Sequence, residues 1–120
     1  MDAERGGDLL IQLPLLDTDR LDELRAAVGD SYDMMIDMFP ESAREELGAL
    51  RAALDAGDAA TARRAAHTLK GIAASFGATR VQAIAHMLED TTLPRDRSNA
   101  LIASLETTLS ATLAALEPVH

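Results

Sequence analysis

His67 is the residue whose neighbours first suggest chemistry. It lies in the stretch Arg63-Arg64-Ala65-Ala66-His67-Thr68-Leu69-Lys70-Gly71, inside a segment patterned as a helix. Each residue of an α-helix turns about 100° around the axis. On that wheel Ala62, Ala65, Leu69, Ile72, Ala73 and Phe76 gather on one side, and His67 points almost directly away from them. Arg63, Arg64, Lys70, Gly71 and Ala74 lie within about 60° of His67. The face opposite the apolar stripe thus offers one imidazole, several cations and two very small residues. A neutral imidazole keeps a nitrogen lone pair near pH 7 and can attack phosphorus without a separate base. An exposed position admits a donor in line. Lys70, one turn on, can offset the charge of a transferred phosphoryl group. Gly71 carries no side chain, so a partner surface can come close. A glycine here costs roughly 1 kcal/mol against alanine, and access to His67 supplies a reason for it.

The elements that must hold this face can be read along the chain. Residues 1–16 read as a flexible head followed by an extended apolar segment, whose Leu10, Leu13 and Leu16 would cover one end of a bundle. Asp17 or Thr18 can cap a first helix over about 18–28, ended by Gly29. A second helix starts near Ser31, with Ile36, Phe39, Ala43, Leu47, Leu50 and Leu54 at spacings of three and four. Pro40 interrupts it, since a helix-interior proline removes a hydrogen bond and clashes with the preceding turn. A kink is expected near 37–40, or else a break with Ser42 and Glu45 capping a restart. Gly57 ends this helix, and Asp58 caps a third over about 59–76, ended by Gly77. A fourth runs over about 79–91 with Val81, Ile84, Ala85 and Leu88 inward. Pro94 ends the connection to a fifth over about 97–116, which buries Ile102, Leu105, Leu109, Leu113 and Leu116. Short connections make successive long helices antiparallel. The fold class is all-α: an antiparallel up-down four-helix bundle over residues 17–117, with the first helix as an additional N-terminal cap.

Composition agrees. Apolar residues make up 48% of 120 residues, yet only Phe39, Phe76 and Tyr32 are aromatic. The core must be aliphatic, rich in the strong helix formers Ala and Leu. No cysteine is present, which excludes disulfides and thiol catalysis and fits a reducing compartment. A net charge of −9 repels phosphate backbones and anionic membranes, so nucleic acid and membrane are poor partners. No run approaches the length of a membrane span, and the stretch Leu9–Leu16 lacks the basic start and cleavage site of a signal peptide. The expected location is cytoplasmic. Three histidines without cysteine make a poor metal site, and no phosphate-binding glycine-rich loop is present, so no cofactor is expected.

The twelve residues His67-Thr68-Leu69-Lys70-Gly71-Ile72-Ala73-Ala74-Ser75-Phe76-Gly77-Ala78 closely resemble the signature of histidine phosphotransfer (HPt) domains. Gly57-Asp58 and Ala65-Ala66 also match, and the helix pattern resembles the family over about residues 17–117. The resemblance implies a phosphocarrier that shuttles phosphoryl groups between aspartates of receiver domains, found in response regulators and hybrid histidine kinases. His67 would carry the phosphoryl on Nε2, Lys70 would sit beside it, and Gly71 would leave room for the receiver. A polar residue on the next helix, by position Glu89, would hold the other imidazole nitrogen, although it also reads as a solvated carboxylate. Any Mg²⁺ would sit on the partner receiver. The family implies no autonomous kinase activity.

Other residues are open to two readings. Met34 and Met38 either fill the bundle core or form part of a receiver docking patch, a use that suits adaptable methionines. Arg63 and Arg64 either meet acidic groups of a receiver or lie on a solvated face. His86 reads as a surface histidine. The rival functions are a phosphorylation-independent adaptor, which intact His67, Lys70 and Gly71 argue against, and an autonomous enzyme, for which no ligand set is visible. A self-contained bundle makes a monomer the default.

Overall fold

The computed structural model describes residues 13–116, so Leu10 and the rest of the head lie outside the described residues. Five α-helices follow one another: α1 (Thr18–Val28), α2 (Tyr32–Ala56), α3 (Ala59–Ser75), α4 (Thr79–Leu88) and α5 (Arg95–Leu116), with a 3₁₀ turn at Gly29–Ser31 between the first two. No strand occurs among the described residues. Each of α2 to α5 packs on the next, and α5 returns to α2. The direction of that closure is fixed by two ion pairs. Arg51 meets Glu106, and Arg95 reaches Asp55 at 2.9 Å, so α2 and α5 run antiparallel. This is the expected up-down bundle with α1 as an extra helix.

Local signals set most boundaries. The Asp17 carboxylate accepts the Arg20 N–H at 3.2 Å, and Gly29 closes α1 with φ of 56°. Gly57 ends α2 in the left-handed region, donating its N–H to the Ala53 and Leu54 carbonyls. The core is the aliphatic interior anticipated above: Leu50, Leu69, Ile84 and Leu105 are fully buried. One aromatic pair supplements it, Phe39 on α2 edge-on to Phe76 after α3 at 4.7 Å.

Four expectations change. The alternative of a break at Pro40 falls: α2 runs unbroken through it, and the restart at Ser42 is not used. Phe39 and Ala43, at 1% and 0% exposure on either side of the proline, are locked into the core, so burial outweighs the missing backbone bond. The helix α4 ends at Leu88, three residues early, because the Asp90 side chain accepts both the N–H and the hydroxyl of Thr92 and turns the chain. The helix α5 starts at Arg95, two residues early, with Pro94 just ahead of it lending its carbonyl to Ser98. Finally, α5 is long and apolar enough to cross a membrane by length and composition. Its Leu101, Ile102, Leu105, Leu109 and Leu113 are instead buried against the bundle, as in the core helix of a water-exposed domain.

The chain before α1 is tied to the far end of α3. Asp17 donates its N–H to the Gly77 carbonyl at 2.7 Å, and Arg80 donates to the Leu13 carbonyl at 2.8 Å. Leu13 and Leu16 are half-buried there.

Candidate functional site

The helix α3 owes its start to Asp58, whose carboxylate accepts the Thr61 N–H at 3.1 Å and the Thr61 hydroxyl at 2.6 Å. Those two bonds, the hydroxyl first, hold the Asp58 carboxyl below the usual aspartate range. With the helix fixed, its apolar stripe decides its rotation. Ala62, Ala66, Leu69 and Ala73 are all at 0% exposure. His67 is turned outward in consequence, with 71% of its side chain exposed.

The antiparallel return of α4 then brings Glu89 beside it. Glu89 sits at the C-terminal cap of α4, only 16% exposed. Its Oε1 lies 2.5 Å from Nδ1 of His67. Its Oε2 accepts from Lys70 Nζ at 2.9 Å and lies 3.1 Å from Nδ1 of His86. Partial burial raises the proton affinity of this carboxyl. The hydrogen bonds from Lys70, His67 and His86 outweigh it and pull the pKa down to about 2. At neutral pH Glu89 is therefore an anion that can only accept. A neutral His67 must then carry its proton on Nδ1, which leaves the Nε2 lone pair free.

The surroundings of His67 are open. Gly71 is exposed, and a Cβ built on it would meet no atom within 4 Å. No packing inside the protein calls for a glycine here. Arg63 and Arg64 are exposed and line a shallow surface recess with Ala60 and His67. Ala74 is half-buried along the same side of α3.

Met34 and Met38 are 60% and 59% exposed, so the core reading of this pair is wrong. The inward face of α2 is taken by Phe39, Ala43, Leu50 and Ala53, and the two methionines fall outside it. Met38 borders a groove between α2 and α3 with Ser42, Ile72 and Ser75, whereas Met34 does not reach it. His86 was missed as a site residue. It is 70% exposed, as a surface histidine should be, but it shares the Glu89 carboxylate. Its spacing of three from Glu89 on one helix was the available signal. No group of three metal-ligating side chains suited to a metal ion occurs among the described residues.

The arrangement is an outward imidazole, oriented by a buried-edge carboxylate and flanked by an ammonium. It suits nucleophilic attack by Nε2 on an incoming electrophile. Comparison with known proteins bears on which electrophile. Among curated protein sequences none matches. A crystal structure of histidine-containing phosphotransfer protein B (HptB) from Pseudomonas aeruginosa PAO1 is similar, with a TM-score of 0.80 and 31% identity, covering 88% of this chain and 93% of that one. The Hpt domain family profile matches residues 34–117, which span α2 to α5 and the whole His67 cluster. With that match over most of its length, the chain belongs to the Hpt domain family and has a histidine phosphotransfer role in phosphorelays.

Proposed function

We propose that His67 is the phosphoryl acceptor and that receiver-domain aspartyl phosphates are its donors and receivers. The observation that carries this is the Nδ1 contact to Glu89 at 2.5 Å on a ring that is otherwise 71% exposed. The Nε2 lone pair attacks phosphorus, the bond from phosphorus to the aspartate oxygen breaks, and the aspartate leaves as a carboxylate. The ring keeps its Nδ1 proton and gains positive charge as the bond to phosphorus forms. Glu89 supplies the matching negative charge at Oε1, and Lys70 offsets the charge of the phosphoryl oxygens. A second receiver takes the group by the reverse steps, so the protein is a carrier rather than a kinase.

Gly71 and Ala74 leave a low surface over which a receiver can settle. Arg63, Arg64, Met34 and Met38 lie around it as contacts, the arginines toward acidic groups and the methionines toward an apolar patch. The carrier needs no cofactor of its own, and the Mg²⁺ of the reaction belongs to the receiver. It acts as a cytoplasmic monomer. The test is phosphoryl transfer from a pre-phosphorylated receiver to the wild type and to His67→Ala. Acid-labile phosphate on the wild type and none on the variant is the expected result. An unlabelled wild type across several active receivers, with the fold verified, would turn the reading toward an adaptor.

A further inference from the structure

We propose that His86 is a positioning residue that keeps Glu89 in place once Lys70 turns to the phosphoryl group. The inference rests on the reading of His67 as acceptor. In the resting protein the Lys70 ammonium is committed to Glu89 Oε2 at 2.9 Å. A phosphoryl group on His67 Nε2 brings a stronger, multiply charged anion within reach of the same lysine, which is one turn along α3. The ammonium is drawn between two anions, and the phosphoryl is the more highly charged. As it moves to the phosphoryl oxygens, Oε2 loses a charge-assisted bond.

His86 is placed to make good that loss. Its Nδ1 lies 3.1 Å from the same oxygen, and it comes from α4, three residues before Glu89. Its hold on the carboxylate therefore does not depend on α3 or on what is attached there. An anionic Glu89 only accepts, so Nδ1 of His86 carries a proton and donates whether the ring is neutral or charged. With Oε2 still anchored, Oε1 stays directed at the Nδ1 proton of His67, where the phosphorylated ring needs its counter-charge. Without His86, Glu89 is held by His67 alone once Lys70 leaves, and its Oε2 has no fixed donor. His86 thus matters little in the resting state and more in the phosphorylated one.

The test compares wild type, His86→Ala and His86→Asn, whose amide nitrogen can stand where Nδ1 stood. Each is mixed with the same phosphorylated receiver and the distribution of label is read at equilibrium. The ring is exposed, so the alanine variant leaves the core untouched. For His86→Ala the ratio of phosphorylated to free carrier should fall about threefold to tenfold, the size of one charge-assisted hydrogen bond partly screened by water. The asparagine should recover most of it. The Nδ1 proton signal of His67 should be unchanged by His86→Ala in the resting protein and altered in the phosphorylated protein. An alanine variant that holds label like the wild type overturns the proposal, as does a loss that asparagine does not recover. A wild type that takes no label is a different result: it removes the acceptor reading itself, and this one with it.

Discussion

The two faces of α3 are built from different residue types and serve opposite ends. Inward, Ala62, Ala66, Leu69 and Ala73 are sealed from solvent. Outward, His67 is mostly exposed and Gly71 has open space around it. Leu69 and Gly71 stand two residues apart, and rotation alone separates them. The inward face gains its energy from burial, so it is sensitive to volume. The outward face spends helix stability, through a mid-helix glycine, to leave a nucleophile approachable. One helix can do both because its rotation is set by the inward face, which leaves the outward side free of structural duty.

The division is open to attack from both sides. Leu69→Ala should lower stability by about 2–5 kcal/mol, since a fully buried leucine leaves a cavity. His67→Ala should stay within about 0.5 kcal/mol of wild type while losing phosphoryl acceptance. Urea unfolding of the two variants side by side measures the contrast. Equal destabilisation would mean that the faces are not separate.

Where the inward face meets the rest of the chain, Gly77 is the sharpest point. Its φ is 64°, and a Cβ would come 2.7 Å from the Asp17 carbonyl oxygen. Gly77→Ala should cost about 1–3 kcal/mol, from the left-handed backbone and the displaced strap together. A thermal melt close to wild type would show that the contact with Asp17 yields easily.

Glu89 ties the outward face of α3 to the end of α4, and its contribution should depend on pH. Its folded pKa of about 2 lies below the ordinary 4.5. The stabilising contribution is therefore complete above the ordinary value and is lost as pH falls through about 2. Replacing it in Glu89→Gln should cost about 1 kcal/mol at pH 7 and should flatten the stability profile below pH 4.5. An unchanged acid limb in the variant would place the carboxylate outside the network that stabilises the fold.

The smallest effect has the opposite sign. Gly71→Ala should stabilise the protein by about 0.5–1 kcal/mol, because the new methyl group meets nothing and the helix gains propensity. Transfer from a receiver should slow in the same variant. A gain in stability with no loss in transfer rate would mean that access to His67 is not what the glycine serves.

Much of the fold was legible because helices obey local rules. Asp17, Asp58, Gly29 and Gly57 stand at the helix ends where their caps were expected. The rotation of α3 could be read from one stripe of alanine and leucine, and with it the outward direction of His67. The remaining differences have separate causes. The hydrogen bond missing at Pro40 leaves a break open as the alternative to a kink, and burial of Phe39 and Ala43 against the rest of the chain keeps the helix whole. Met34 and Met38 were ambiguous because periodicity gives a face and not what covers it. The end of α4 was set by a side-chain turn at Asp90 that competes with the helical pattern.

By itself, then, the sequence determined the helices, the buried stripes and the imidazole that must point outward, which follow from spacings of three and four, and the caps, which follow from Asp and Gly at the ends. The family resemblance pointed to Glu89 as the partner of that imidazole and left a solvated carboxylate as the other reading; the tertiary structure decided between them. Glu89 lies 22 residues from His67 and 19 from Lys70, and no local rule relates such positions. The antiparallel packing of α3 on α4 brings them together. Two histidines and a lysine converge on one carboxylate because a partly buried anion needs every donor within reach.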